Sequence, residues 1–187
     1  MGFPNESLFT SAPSSYCLEH MFVLGVDPGL SVTGYGLVEG TAPPRAMLAG
    51  VIRTDPDLPT AERLADLYDG LTQVISDSKP DVMAVEMVFT NRNLQTAISV
   101  GRASGVVLLV AARSGMSVFE YVPTAVKSAV TGDGSANKGQ VQTMVARLLH
   151  LDQPPTPIDA ADALAIALCH LRAAPLLGRQ NDVSGRR

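Results

Sequence analysis

Four carboxylates stand where regular structure would present them together: Asp27 closes the apolar run Phe22–Asp27, Glu86 closes Val82–Glu86, and Asp159 and Asp162 open the last helical segment. Their spacing of three sets Asp159 and Asp162 on one face of a helix. If the two strands are neighbours in a sheet, their ends converge, and a helix laid across that edge brings all four acids together. Such a cluster repels itself unless cations are present. Hard divalent ions relieve the repulsion, and Mg²⁺ favours a few carboxylates completed by water and phosphate oxygens. Two ions about 4 Å apart activate a water and stabilise the leaving 3′ oxygen of an in-line displacement at phosphorus. The chemistry is then phosphodiester hydrolysis, with Mn²⁺ a candidate substitute metal.

Each acid also has a plainer use. Asp27 before Pro28-Gly29 can simply begin a turn. Asp159 suits the first turn of a helix capped by Thr156 with Pro157 at its first position. Glu86 is harder to place structurally, because a charge ending a Val-Met-Ala-Val run is costly unless exposed or paired. Asp162, deeper in an Ala/Leu-rich helix, has no capping role. Phe89 follows in the polar stretch Thr90 to Asn93, where a ring either tucks onto the sheet edge or stacks on an unpaired base. Lys127 and Lys138 flank Gly132-Asp-Gly-Ser135 and serve equally as solvated charges or phosphate contacts. That loop reads as an anion-cradling turn or as a plain connection with Ser135 as N-cap. Arg92, Arg102, Arg113 and Arg147 are further candidates for a basic track.

The elements that must position these residues follow from periodicity and from Gly and Pro breaks. Phe22–Asp27, Thr33–Glu39 and Ala46–Arg53 read as three antiparallel strands. A helix carrying Leu64, Leu67, Leu71, Val74 and Ile75 stops at Lys79-Pro80. The strand Val82–Glu86, a helix Asn93–Ser114, a strand Ser117–Tyr121 and helices over Thr124–Val130, Asn137–His150 and Thr156–Arg172 complete the pattern. The expected fold is α/β: a mixed five-stranded sheet, three antiparallel strands followed by parallel ones, flanked by helices. Residues 1–20 read as a disordered N-terminal extension, 21–173 as one domain and 174–187 as a flexible tail. Gly101, Ala103, Ser104 and Gly105 give the long helix a small-residue patch suited to close packing or to a homodimer.

Composition narrows the function. The chain has 187 residues and a net charge of −4, which by itself disfavours a nucleic-acid partner. The average hides a division: Val51 to Glu86 holds eight acids and three bases, whereas Met87 to His150 holds two acids and six bases. Cys17 and Cys169 form no CxxC or Cys/His cluster, so neither a disulfide framework nor a zinc site is indicated, and a reducing cytoplasm is the natural setting. The strongest apolar run, Val106–Ala112, falls short of the roughly 20 residues of a membrane span. No histidine is spaced like a ligand.

Gly25-Val-Asp27-Pro-Gly29 with Thr33-Gly34, Glu86-Met-Val-Phe89, Gly132-Asp-Gly-Ser135-Ala-Asn-Lys138 and Asp159-Ala-Ala-Asp162-Ala-Leu-Ala resemble, in order, the motifs of the RuvC family of Holliday junction resolvases, over about Phe22 to Arg172. The resemblance implies an RNase H-like fold, with Asp27, Glu86, Asp159 and Asp162 as the catalytic, metal-binding set for two Mg²⁺ per subunit. It implies Phe89 as the aromatic inserted at the junction centre, Lys127 and Lys138 on the scissile-strand phosphates, and Lys138 steadying charge in the transition state. It further implies a homodimer acting on four-way junction DNA in recombination and repair, with the RuvA and RuvB branch-migration proteins as partners. Some members carry a histidine in the last acidic cluster, where this chain has Asp159. Two rivals remain. Asp27-Pro-Gly29-Leu-Ser-Val-Thr-Gly34 also resembles the first phosphate loop of actin-like ATPases, which need a second domain copy that this chain lacks. A binding module without catalysis would have no need of all four acids.

Overall fold

The computed structural model describes residues 20–87 and 94–184, with side chains through Ala174. The chain runs β1 Phe22–Asp27, β2 Val32–Glu39, β3 Arg45–Arg53, α1 Thr60–Ser78, β4 Val82–Glu86, α2 Leu94–Arg113, β5 Ser117–Tyr121, α3 Pro123–Thr131, α4 Lys138–Leu148 and α5 Ile158–Ser184. The five strands form one sheet in the order β3-β2-β1-β4-β5. β1 to β3 pair antiparallel, and β1 to β4 and β4 to β5 pair parallel, as expected.

The period-two alternation of the strands divides the core into two layers. Leu24, Val26, Met83 and Val85 face α1 and α2, packing on Leu71, Ile75, Val107, Val110 and Ala111. Val23, Val82 and Ala84 face the other way, toward α3, α4 and α5. Asp27 follows Val23 and Gly25 in phase, and Glu86 follows Val82 and Ala84, so both acids lie on the α5 side. α5 is buried nearly all round from Ala160 to His170, as a helix sandwiched between sheet and helices must be.

Glycine lets α5 come this close. A Cβ on Gly25 would lie 2.0 Å from the Ala163 carbonyl oxygen, and one on Gly34 would lie 2.1 Å from that of Asp159. Any larger residue would push the helix off the strands.

Local signals explain most boundaries. α1 ends at Lys79, in the left-handed conformation, just before Pro80. α3 starts on Pro123 and ends at left-handed Gly132. α4 is capped by Asn137, whose side chain accepts from the Gln140 N–H while the Gln140 side chain accepts from the Asn137 N–H. Ser135, the expected cap, instead donates from its N–H and its hydroxyl to Asp133. The helix break expected near Arg172 is absent: the backbone stays helical to Ser184, through part of the expected flexible tail. Pro175 lacks a backbone N–H to donate, but its Ala and Leu neighbours are strong helix formers. The expected extension over 1–20 lies, His20 apart, outside the described residues.

α2 is long and apolar enough by length and composition to cross a membrane. It instead packs Val107, Val110 and Ala111 on the sheet. Its small-residue patch splits: Ala103 and Ser104 are buried against the fold, while nothing stands near the outward positions of Gly101 and Gly105.

Candidate active site

The register of the central strands brings the acids together. Val26 pairs with Val85 across the parallel β1–β4 ladder, which leaves Asp27 and Glu86 side by side at the strand ends. Asp27 itself pairs with Gly34 on β2, and Gly34 lies beneath Asp159. Asp162 comes one turn further along the same face of α5. All four side chains are partly buried.

Their electrostatics record that proximity. The Asp27 carboxyl is pushed up to about 7, by burial first and then by Glu86, Asp162 and Asp159, with Lys138 pulling the other way. Glu86 is also raised, by burial and then by Asp162, against the lowering effect of Lys138 and Lys127. Lys138 donates from Nζ to Asp162 Oδ2 at 2.7 Å, and this bond holds its ammonium charged. Lys127, within electrostatic reach of Glu86, completes a positive rim.

Among the described residues, no three carboxylate, histidine or cysteine groups form a ready-made coordination shell. The donor set nevertheless fits a hard cation. It is all carboxylate, and Mg²⁺ characteristically takes one or two of these and completes its shell with water and phosphate oxygens. Mutual repulsion is what a cation would remove.

Other predicted residues fare differently. Phe89 and Arg92 lie outside the described residues. The anion cradle at Gly132 to Ser135 is filled by the chain itself, because Asp133 takes up the Ser135 N–H. Arg113 ends α2 four residues before β5 begins, at the edge of the sheet opposite Glu86, and so leaves the candidate track. Arg147 is exposed at the far end of α4, about 14 Å along the axis from Lys138. Arg102 is exposed on the outward side of α2.

Sequence reasoning missed the groups that support the site. Thr33, fully buried, donates to the Gly29 carbonyl at 2.7 Å. Thr54 and Arg63, on other elements, bind the same turn. Tyr121, paired with Glu86 across β4–β5, is hydrogen-bonded to buried His170 at 2.7 Å, and burial lowers that imidazole to about 4, leaving it neutral. Buried threonines at the ends of strands were the one available signal.

A mixed sheet of this order, with carboxylates at the paired ends of its central strands and on a crossing helix, defines an RNase H-like nuclease. Residues 23–170 match the family described as crossover junction endodeoxyribonuclease RuvC. Proteins of that description from Moorella thermoacetica and Pelotomaculum thermopropionicum are 48% and 51% identical, over 89% and 80% of this chain and 100% and 92% of theirs. The structure of Thermus thermophilus RuvC in complex with Holliday junction substrate superposes with a TM-score of 0.80 at 38% identity, over 85% of this chain and 98% of that one. The yeast mitochondrial Holliday junction resolvase Ydc2 shares the fold, with a TM-score of 0.57 at 13% identity over 86% of each chain. The chain belongs to the RuvC family, a family of divalent-metal-dependent nucleases.

Proposed function

We propose that this protein is a structure-selective endonuclease that resolves Holliday junctions by paired, symmetric nicks in recombination and DNA repair. The observation that carries the proposal is the convergence of Asp27 and Glu86 with Asp159 and Asp162, on a chain of this family. These four carboxylates would hold up to two Mg²⁺, or Mn²⁺ in their place, which would supply an activated water and positive charge beside the leaving oxygen. Asp27, raised to about 7 by burial first and then by its acidic neighbours, yields its proton near neutral pH and would then present a carboxylate to the cation. Lys138 carries its charge at the mouth of the site, where it neutralises a phosphate oxygen in the transition state. Lys127 contacts the scissile strand from α3, Phe89 inserts at the junction centre, and Arg92 broadens the basic DNA track.

The outward stripe of α2 supports a homodimer. Leu94 is 76% exposed and Leu109 51%, with Ile98 also exposed and with Gly101 and Gly105 open between them. An apolar stripe with small residues at its centre lets two helices pack closely. Two copies related by a twofold axis match the two symmetric cuts a junction needs. RuvA and RuvB are the proposed working partners, and chromosomal DNA as substrate places the protein in the cytoplasm.

The test is incubation with an end-labelled synthetic four-way junction and with matched linear duplex, with and without Mg²⁺. Paired, symmetric, Mg²⁺-dependent nicks on the junction alone support the proposal. Binding without cutting over several junction sequences would make the chain a binding module, and cutting of an RNA–DNA hybrid instead would replace the substrate.

A further inference from the structure

We infer that Arg63 and Thr54 form a latch that holds the Pro28–Ser31 turn in place and thereby fixes Asp27 against the other three acids. The inference rests on the nuclease reading above and goes beyond it to residues that touch neither metal nor DNA.

The turn leaves β1 immediately after Asp27, and four residues separate it from β2. Asp27 is held in the ladder opposite Gly34, but it is the last residue of β1, and a loose Pro-Gly connection after it would let the strand end and its carboxylate drift. Side chains from β2, from α1 and from the residue after β3 prevent that. Thr33, on β2, donates to the Gly29 carbonyl at 2.7 Å. Thr54, just past β3, donates from Oγ1 to the Leu30 carbonyl at 2.6 Å, and its N–H donates to the Ser31 carbonyl at 3.3 Å. Arg63, on α1, donates from Nε to Thr54 Oγ1 at 2.9 Å and from a terminal nitrogen to Ser31 Oγ at 2.8 Å.

The geometry is directional. The Thr54 hydroxyl has one proton, and by accepting from Arg63 it is left to spend that proton on Leu30. The guanidinium fork sets both contacts at once, which a single ammonium cannot do. Thr54 is buried, so its bonds do not compete with water. The latch thus joins α1, in the back layer of the fold, to the turn that immediately follows Asp27, and it steadies the end of β1 against the repulsion among the acids before any cation arrives. Arg63 and Thr54 are positioning residues.

Thr54→Val, Thr54→Ser and Arg63→Lys test this with two readouts, Mn²⁺ binding by electron paramagnetic resonance and the Mg²⁺ dependence of junction nicking. Losing an outer partner bonded directly to a metal ligand typically costs about tenfold to a hundredfold in metal affinity, and Thr54 and Arg63 act one step further out, so a loss of about tenfold is expected. Thr54→Val and Arg63→Lys should weaken Mn²⁺ binding by that amount and raise the Mg²⁺ needed for half-maximal nicking in proportion. Junction affinity should not change, and Thr54→Ser, which keeps the hydroxyl, should restore both. Wild-type Mn²⁺ affinity in folded Thr54→Val and Arg63→Lys would overturn the latch. Should Thr54→Val fail to fold, the half-buried Arg63→Lys decides alone. If the wild-type chain binds Mn²⁺, the latch variants lose it and no junction is ever nicked, the latch stands and the nuclease assignment falls.

Discussion

The ammonium of Lys138, the first residue of α4, reaches 2.7 Å from Asp162 Oδ2 on α5. This contact draws the start of one helix onto the acidic face of another and sets a cation at the mouth of the carboxylate cluster. Lys138→Met should therefore cut the nicking rate by about 10²–10³, the cost of losing one preorganised charge at a transition state. The pair is largely solvent-exposed on the lysine side, so the melting temperature should hardly move. Lys138 also lowers the Asp27 and Glu86 carboxyls, so the acidic limb of the pH–rate profile should shift upward in the variant. An unchanged rate in single-turnover nicking would remove Lys138 from the site.

Metal-free stability should fall as pH rises. The folded chain holds the Asp27 proton to about 7, whereas the free side chain releases it near 3.8. Between those values the native state binds the extra proton, so stability is lost progressively from about pH 4 to 7 and is level above. At about 1.4 kcal/mol per unit, the upper bound is roughly 4 kcal/mol. Glu86 acts in the same direction. Melting curves should show a lower transition at pH 8 than at pH 5 without metal, and Mg²⁺ should raise it more at pH 8. Asp27→Asn should flatten the dependence, keep junction binding and abolish cleavage; a melting temperature insensitive to pH in the wild type would contradict the cluster.

Gly25→Ala is expected to be severe for so small a change. The new methyl would meet the Ala163 carbonyl at 2.0 Å, and backbone on both sides leaves little room to yield. Overpacking of this kind costs about 3 kcal/mol or more. Urea unfolding should show a large drop in midpoint, and a variant as stable as wild type would contradict the close packing of α5 on Gly25.

Leu109→Glu addresses the homodimer. The side chain is half exposed on the outward face of α2, so the fold should survive. Light scattering should report a monomer, and junction nicks should become unpaired. A dimer that persists would place the interface elsewhere.

Much of the fold was legible because Gly and Pro mark its joints. Lys79-Pro80 and Gly132 fall where helices stop, and the places of Asp27 and Glu86 at the ends of two apolar runs put them side by side once those strands are neighbours. What sequence could not supply was distance. Gly25 and Gly34 stand in the sequence only as strand residues and motif members, yet their use is to admit the backbone of α5, contributed more than a hundred residues later. Gly101 to Gly105 read as one patch, but the tertiary fold claims Ala103 and Ser104 for the core and leaves the glycines outside. Ser135 and Asn137 were both good caps by type, and the choice fell to Asn137 because Gln140 could complete the reciprocal pair. Arg63 gave no signal, because its importance lies in what Thr54 and Ser31 do with it.

Half of the acids arrive on α5, the last element described, and that helix fills the trough over Gly25 and Gly34. During synthesis the sheet strands and Lys138 emerge first, with Asp27 and Glu86 unaccompanied. The centre therefore cannot assemble while the ribosome is still building the C-terminal helix, and long-range closure of this kind is a late, slow event in folding. A chain that stops before Ile158 would carry only Asp27 and Glu86 of the four proposed ligands.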